Sequence, residues 1–282
     1  MLRGLGGSLA VLGVALALVA PAADAAATMQ AGALLPQLKV AAPHLHGYSR
    51  DLFNHWVDAD GNGCDTRKEV LISEARVRPT LLAGCRLGGG RWWSAYDDLY
   101  ITDAGSLDID HFVPLSEAWK SGAWRWSAAT REAFANDLDY PLSLIAVTAT
   151  TNRRKSDQDP AAWLPAFTRY RCTYVSTWIA VKWRWRLTVD PAEKTALRLG
   201  ITGCGTDARV LRPSRATIAT GPPTAASAGT TATGATTGGG LDQRYPYCSD
   251  AIAAGLGPYT EGIDPEYAWY RDGDGDGIVC ER

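Results

Sequence analysis

Two aspartates and a histidine stand in one short apolar stretch, LDIDHFVPLSEAW at residues 107–119. Charged side chains in a half-buried strand are costly unless another group pairs with them. Asp110 offers a hard oxygen ligand for a divalent cation, and His111 offers an imidazole that can accept a proton near neutral pH. Together these groups indicate metal-assisted hydrolysis. We expect Asp108 to orient the strand or a neighbouring side chain rather than to bind metal.

A second polar cluster, TTNRRKSDQDP, follows downstream. In it, Asn152 adds an amide oxygen for a metal that keeps open positions for phosphate and water. The cations Arg153, Arg154 and Lys155 are predicted to engage phosphate oxygens, with a solvated helix face as the alternative for Lys155. Residues 152–198 contain ten Lys or Arg and four acidic residues, a balance that suits an anionic backbone.

Two strands and a helix must bring these groups together. The alternation in IDHFVPL predicts a strand that ends near Pro114, and the apolar run at residues 142–149 predicts a second one. Between them, TREAFANDL has helical spacing. After the second strand, Thr150 or Thr151 is predicted to cap a helix that carries Asn152. This arrangement would place the acid, the imidazole and the amide in one neighbourhood.

The combination DIDHFVPLSEAW, TNRRKSD and DPAAWLP resembles the HNH, or ββα-metal, nuclease superfamily. It is most similar to the secreted DUF1524 branch, which is related to the C-terminal domain of GmrSD restriction enzymes, and the HNH domain of RNA-guided CRISPR nucleases has a similar DxDHxxP and NRxK arrangement. The resemblance runs from about residue 56 to residue 199. It implies an α+β fold, with a ββα-metal core and added helices. It also implies that His111 is the general base, that Asp110 and Asn152 hold one catalytic magnesium ion, and that cleavage leaves a 5'-phosphate.

This chain departs from the family pattern in one respect, because no second histidine follows Asn152. The ligand set of members with a final histidine therefore cannot be carried over whole, and we assign Asp157 to complete it. We expect a monomeric endonuclease that acts on DNA rather than RNA with little sequence specificity. The alternative is a calcium-dependent surface-binding protein whose nuclease fold is inactive.

An EF-hand spacing precedes the nuclease motifs in HWVDADGNGCDTRKEVL. Its ligand positions for calcium are Asp58, Asp60, Asn62 and Glu69. Position eight of such a loop is usually apolar, and here it is Asp65. The related nucleases carry a similar W-D-GC-TR segment, in which Arg67 would contact phosphate or the active site. The competing interpretation of Arg67 is a buried arginine that bonds Asp65 or a carbonyl.

The C-terminal residues 241–282 form a distinct acidic module with three Arg and nine acidic residues. It ends in RDGDGDGIVCER, where alternating aspartates present oxygens around a hard cation. The ending DxDxDGxxCE and the upstream cysteine resemble the Excalibur calcium-binding domain. The predicted calcium ligands of this module are Asp272, Asp274, Asp276, Ile278 and Glu281.

The six cysteines and the N-terminus indicate export. Six cysteines allow 15 pairings, and their spacing suggests three local bridges: Cys64–Cys85, Cys172–Cys204 and Cys248–Cys280. Structural disulfides form in oxidising compartments. Arg3 and a twelve-residue apolar run at residues 9–20 precede small residues, which predicts a signal peptide cleaved after Ala25 or Ala27. We therefore expect a secreted protein without a membrane span, and we expect its C-terminal module to be the part that contacts a cell surface.

The predicted layout is a signal peptide at 1–27, a nuclease domain at 28–205, a flexible Thr, Ala, Gly and Pro linker at 206–240, and the calcium-binding module. The tryptophans of YVSTWIAVKWRWRL are predicted to pack in the core, with base stacking by Trp183 or Trp185 as the alternative.

Overall fold

A computed structural model describes residues 1, 28–221, 258–260, 265–270 and 278–280. The chain divides into two compact units, with the boundary between residues 227 and 228. The predicted signal peptide lies outside the described residues, apart from its first residue. Each unit is described by itself below.

The first unit combines helices with short antiparallel strand pairs, which confirms the predicted α+β class. Its helices are α1 (Thr66–Glu74), α2 (Leu115–Lys120), α3 (Ala128–Ala135), α4 (Ala149–Lys155), α5 (Arg171–Arg184) and α6 (Pro191–Cys204). Its strands are β1 (Thr28–Gln30), β2 (Thr80–Leu82), β3 (Arg86–Gly88), β4 (Trp92–Ser94), β5 (Leu99–Ile101), β6 (Leu107–His111), β7 (Leu144–Thr148) and β8 (Arg209–Leu211). Within the described part of the chain, no helix has the length and apolar character needed to cross a lipid bilayer.

The strands β6 and β7 form the hairpin that carries the predicted site. They pair antiparallel over five residues, from Leu107 opposite Thr148 to His111 opposite Leu144. Because side chains alternate along a strand, His111 shares a face with Leu107, whereas Asp108 and Asp110 point to the other side. Helix α3 lies between the two strands in sequence, as predicted, and α4 follows directly after β7.

Helix α5 is the centre of the main hydrophobic core. Ten of its fourteen residues are buried, among them Trp178, which has no exposed surface. Helix α6 packs against α5, and the Asp190 carboxylate caps it as a side-chain acceptor for two backbone N–H groups. The two helices are also joined by the predicted disulfide Cys172–Cys204. The predicted disulfide Cys64–Cys85 is present as well.

Residues 206–221, predicted as the first part of the linker, belong to the folded first unit. Strand β8 in this segment pairs with β1. Beyond it, Arg184 donates to the Ser214 carbonyl at 3.0 Å, and Arg186 donates to the Ala216 carbonyl at 2.7 Å. The composition of the segment does not predict this order, because the hydrogen bonds that hold its backbone come from residues that are distant in sequence.

The second unit is described over three short stretches. Its strands β9 (Tyr259–Thr260) and β10 (Ile278–Val279) pair antiparallel, and a 3-10 turn spans Pro265–Trp269. The rings of Tyr259 and Tyr270 stack with centroids 5.8 Å apart. Of the predicted calcium ligands only Ile278 is described. The remaining ligands and Cys248 lie outside the described residues.

Candidate active site

A cleft of about 630 Å³ lies beside the β6–β7 hairpin and brings the predicted trio together. Asp110, His111 and Asn152 all line it. The other residues that line the cleft are Tyr48, Arg50, Ile109, Pro114, Leu115, Ser116, Arg153, Ser156 and Asp157. The hairpin supplies the acid and the imidazole, and α4 supplies the amide. Thr148, rather than the predicted Thr150 or Thr151, caps α4.

The imidazole of His111 is buried and held in one tautomer. Its Nε2 lies 2.9 Å from the Ala135 carbonyl oxygen. Because a carbonyl only accepts hydrogen bonds, Nε2 carries the proton, and Nδ1 keeps the lone pair that can accept another. Burial lowers the pKa of His111 to about 3. The hydrogen bond to Ala135 acts in the opposite direction, and the positive charge of Arg50 lowers the pKa further. The imidazole is therefore neutral near pH 7.

Trp56 covers the imidazole of His111. The two ring centroids lie 5.3 Å apart with planes 26° from parallel, and Phe134 stacks on the same imidazole at 6.4 Å. The backbone of Trp56 has φ 62°, a left-handed conformation that bulky residues rarely adopt. Such strained positions persist only where the surrounding structure enforces them. The fold thus holds His111 between two aromatic rings.

Asp110 is hydrogen-bonded to Lys155 and Tyr96. The Lys155 Nζ lies 2.9 Å from both carboxylate oxygens, and the Tyr96 hydroxyl donates to Oδ2 at 2.7 Å. Burial raises the pKa of Asp110 and lowers the pKa of Lys155, while the ion pair opposes both shifts. Lys155 has no exposed surface. It therefore lies neither on a solvated helix face nor in free contact with phosphate, which were the two predicted alternatives.

Asn152 is oriented by Asp108. Its Nδ2 donates to Asp108 Oδ2 at 3.2 Å, so the amide oxygen is the atom left for a ligand. The guanidinium of Arg153 lies 3.7 Å from the same carboxylate oxygen, and its side chain is 76% exposed. Asp108 thus orients a neighbour, as the sequence predicts. Arg153 remains available to a ligand that enters the cleft.

The donor set of the cleft fits a hard divalent cation. Each carboxylate oxygen has two lone pairs, so Tyr96 and Lys155 leave one lone pair on Oδ1 of Asp110. The amide oxygen of Asn152 is of the same chemical class. Among the described residues, no group of three or more His, Cys, Asp or Glu side chains is arranged to hold a metal ion. A site with few protein ligands suits magnesium, which keeps several of its waters.

Two other predicted site residues are committed to structural bonds. Arg67 donates to the carbonyl oxygens of Ala104 at 3.1 Å and Leu107 at 2.9 Å, which corresponds to the carbonyl alternative. Asp157 lines the cleft, but its carboxylate accepts from Lys120 at 2.8 Å and from Ser116. These bonds lower the pKa of Asp157. Arg67 does not line the cleft. Both bonds of Asp157 end on Oδ2, so its role in completing the ligand set stays a prediction.

The four EF-hand positions lie close together around Asn62. Its backbone N–H donates to Asp58 Oδ1 at 3.1 Å, and its Nδ2 donates to Asp60 Oδ2 at 2.8 Å and to Glu69 Oε1 at 2.9 Å. The turn uses positive φ angles at Gly61 and Gly63. Helix α1 begins within the loop, as the exiting helix of an EF-hand does.

The positive charge of residues 152–198 is smaller at the surface than the composition suggests. Like Lys155, Lys182 and Arg184 are buried. Lys182 pairs with Glu117 and Glu193, and Arg184 pairs with Asp137. Trp185 is buried and donates to the same aspartate, so base stacking by Trp185 is wrong. Trp183 donates to Gln37 and packs under Arg215.

Several residues of the site carry no signal in the sequence. Tyr96 touches Asp110 and Ala135 touches His111 from separate segments of the chain. Trp56 belongs to the W-D-GC-TR segment, but that pattern does not predict its stacking on His111. Only tertiary folding brings them there, and no spacing rule predicts them. Arg50 belongs to the same group, because it reaches the cleft from a segment that we did not single out.

Comparison with known proteins places this chain in a family. The model of the C-terminal domain of GmrSD restriction endonucleases matches residues 90–198, and the model of the Excalibur calcium-binding domain matches residues 245–281. A secreted protein of Arthroderma benhamiae, described as uncharacterized, is 46% identical over 158 residues, which cover 56% of this chain and 76% of the relative. The chain belongs to the GmrSD C-terminal domain family. No solved structure matches it.

The GmrSD C-terminal domain match contains Tyr96, Asp110, His111, Asn152 and Lys155. The family match therefore includes the hairpin, α4 and the buried ion pair. The predicted resemblance is confirmed, and so is secretion, since the relative is secreted and this chain contains disulfides. The EF-hand loop and Trp56 lie before the part of the GmrSD C-terminal domain that is matched.

Proposed function

We propose that the protein is a secreted, metal-dependent endonuclease that hydrolyses phosphodiester bonds of DNA with little sequence specificity. The single observation that carries this proposal is one cleft that is lined by a neutral, oriented imidazole, a carboxylate and an amide. Membership of a restriction endonuclease family supports it. The hairpin β6–β7 followed by α4 has the order of a ββα-metal core, which we propose as the fold of the site.

In this proposal His111 is the general base. Nδ1 accepts a proton from the attacking water, and Nε2 stays bonded to the Ala135 carbonyl. A phosphodiester in the cleft brings negative charge close to the ring, which favours the protonated form of His111 and counters the effect of burial on its pKa. The stacked rings of Trp56 and Phe134 keep the imidazole from turning.

Asp110 and Asn152 are the proposed holders of one divalent ion, magnesium in the first instance. A metal bound there supplies Lewis-acid stabilisation of the phosphate and of the departing oxygen. Asp108 orients Asn152 for this role. Arg50 and Arg153 line the cleft and offer guanidinium groups to phosphate oxygens. The buried Lys155 keeps Asp110 in place rather than touching substrate.

A plasmid-nicking assay tests the proposal. Purified mature protein is expected to convert supercoiled plasmid to open-circular and linear forms in magnesium, and EDTA is expected to stop the conversion. Products are expected to carry 5'-phosphates, which allow religation without kinase treatment. If no nicking occurs with magnesium, manganese or calcium, the alternative of an inactive nuclease fold in a calcium-dependent binding protein is favoured.

We further propose two calcium sites, one in the Excalibur domain and one at residues 58–69. The family match supports the first. The EF-hand spacing of Asp58, Asp60, Asn62 and Glu69 supports the second, although hydrogen bonds from Asn62 now bridge the three carboxylates and they are not arranged as a metal-binding group. Both would stabilise a secreted protein in calcium-rich surroundings.

Calorimetric calcium titration of the full chain checks the second site. Asp60→Ala is expected to lower the stoichiometry by one ion, because it removes a ligand oxygen. Asp65→Asn is the matched control: it keeps a capping side chain on α1 and is expected to leave the stoichiometry unchanged. An Asp60→Ala protein that binds as many calcium ions as the wild type would exclude calcium from this loop.

A further inference from the structure

The β4–β5 hairpin carries two aromatic rings side by side on one face. Trp93 and Tyr100 are directly opposite each other in the antiparallel register, so their side chains lie on the same side of the hairpin. Tyr100 is 62% exposed and Trp93 is half-buried. We call these two residues, together with Arg76 and Arg91, the aromatic platform.

Each ring of the aromatic platform lies under a guanidinium group. The Arg76 guanidinium carbon is 5.7 Å from the centroid of Trp93, and that of Arg91 is 5.2 Å from the centroid of Tyr100. The backbones of the two arginines are tied together, since Arg76 N–H donates to the Arg91 carbonyl at 2.7 Å. Guanidinium planes stack on bases as aromatic rings do, and their N–H edges bind phosphate. The platform therefore offers stacking surfaces and phosphate donors at once.

Trp93 is held rigidly from several sides. Its Nε1 donates to Asp98 at 2.9 Å, and the rings of Phe167 and Tyr170 meet it edge-on with centroids 6.2 Å and 6.3 Å away. A preformed ring loses little entropy when a partner stacks on it. Beside it opens a cavity of about 400 Å³, lined among others by Glu74, Arg76 and Tyr170. This cavity offers room for a base that turns out of a strand.

Exposed arginines outnumber acidic residues in the segment that carries the aromatic platform. Residues 74–98 contain four arginines and three acidic residues, of which Glu74 lies near Arg76 and Asp98 accepts a hydrogen bond from Trp93. All four arginines are exposed, unlike Lys155, Lys182 and Arg184, which are buried. The exposed cationic surface of the unit thus includes the segment that carries the aromatic rings. Basic residues interleaved with aromatic rings are the surface that a single nucleic-acid strand needs.

The hairpin is fixed to the helix that carries Asn152. Ser94, next to Trp93, accepts a hydrogen bond from the Thr148 backbone N–H at 3.1 Å. Asp97 accepts from the hydroxyls of Thr148 and Thr151. These bonds anchor the hairpin at the first turn of α4. A strand bound to the platform would therefore be held in a fixed relation to the candidate active site.

We propose that the aromatic platform binds an unpaired nucleic-acid strand and makes single-stranded segments the preferred substrate. This inference rests on the proposed nuclease function, but it adds the substrate class and a second binding site. In a duplex both faces of each base are already stacked, whereas unpaired bases have free faces for Tyr100, Trp93 and the guanidinium planes. The contacts involve ring faces and phosphates, so little sequence preference is expected.

Binding of a fluorescent 15-nucleotide oligothymidine, measured by anisotropy with the full chain in EDTA, tests the proposal without turnover. Tyr100→Ala is expected to raise the Kd at least about fivefold, the scale of one lost stacking contact. Arg91→Ala is expected to weaken binding and to flatten the dependence of log Kd on log salt by about 0.7, the value for one phosphate contact on a single strand. The Kd for a 15-base-pair duplex is expected to change less than about twofold with Tyr100→Ala, since duplex bases cannot stack on the ring.

Two control variants separate this role from folding. Tyr100→Phe keeps the ring and is expected to bind oligothymidine like the wild type. Leu99→Ala removes a neighbouring side chain that is 51% exposed on the opposite face of the strand, and it is expected to leave the Kd unchanged. The proposal would be overturned by an unchanged Kd for oligothymidine in Tyr100→Ala, or by an equal loss of affinity for oligothymidine and duplex.

The binding experiment tests the aromatic platform separately from the proposed nuclease activity. If the wild type binds oligothymidine through Tyr100 but nicks no plasmid, the platform stands and the nuclease proposal falls. If it nicks plasmid and hydrolyses bis(p-nitrophenyl) phosphate, yet Tyr100→Ala binds oligothymidine normally, the nuclease stands and the platform falls. Hydrolysis of that small diester by Tyr100→Ala is expected to match the wild type, because the ring does not line the cleft.

Discussion

Replacement of His111 by alanine is expected to lower the rate of plasmid nicking in magnesium at least about a hundredfold, the usual scale for loss of a general base. The physical reason is that His111 Nδ1 holds the accessible lone pair of an imidazole whose Nε2 is bonded to Ala135. Single-turnover rates on a labelled substrate, compared between variant and wild type, measure the effect.

His55→Ala is the matched control for His111→Ala. The ring of His55 lies 6.4 Å from that of His111, and its Nδ1 lies 2.9 Å from the Phe53 carbonyl. Because His55 does not line the cleft, we expect a loss of less than about tenfold. Imidazole added to His111→Gly is expected to restore part of the rate by filling the vacated space. Full activity of His111→Ala would remove the proposed mechanism.

Replacement of Lys155 by methionine is expected to lower the free energy of unfolding by about 3–5 kcal/mol, because it leaves the buried carboxylate of Asp110 without its cation. Methionine nearly conserves the volume, so lost packing contributes little. Urea unfolding followed by tryptophan fluorescence measures the change. Magnesium is expected to recover part of the lost stability, since a bound ion would compensate the same carboxylate.

Lys120→Met is the matched control for this experiment. Its ammonium group also pairs with an aspartate, Asp157, at 2.8 Å, but both side chains are partly exposed. Such pairs are worth about 1 kcal/mol or less. The double variant Asp110→Asn with Lys155→Met is expected to be more stable than Lys155→Met alone. An equal loss in Lys155→Met and Lys120→Met would show that Asp110 does not depend on its lysine.

The sequence predicts the site best where the signal is local. The two strands around TREAFANDL and the helix bearing Asn152 follow from alternation, helical spacing and capping, and the structure has each of them within a few residues. Cysteine spacing predicts both disulfides of the first unit. These patterns depend on neighbours along the chain, so they can be recognised without knowledge of the tertiary fold.

The sequence fails where a partner comes from far along the chain. Lys155 is predicted as a surface cation because it follows two exposed arginines. In the structure it is buried and paired with Asp110, forty-five residues earlier. The sequence predicts a linker from residue 206 because the pairing of β8 with β1 is not accompanied by a periodic pattern of apolar residues. Family resemblance identifies the acid, the imidazole and the amide, but Tyr96, Trp56 and Ala135 become visible only in the folded chain.

The pairing of β1 with β8 has a consequence for how this protein leaves the cell. Thr28 and Arg209 are hydrogen-bonded across 181 positions, so the first and last strands of the unit close on each other. A chain that threads through a translocon from its amino end cannot form this closure until Leu211 has emerged. Contacts between segments so far apart in the sequence form late in folding, so the precursor stays incompletely folded during translocation. If the chain is exported unfolded in this way, the β1–β8 pair forms only after both strands have crossed the membrane.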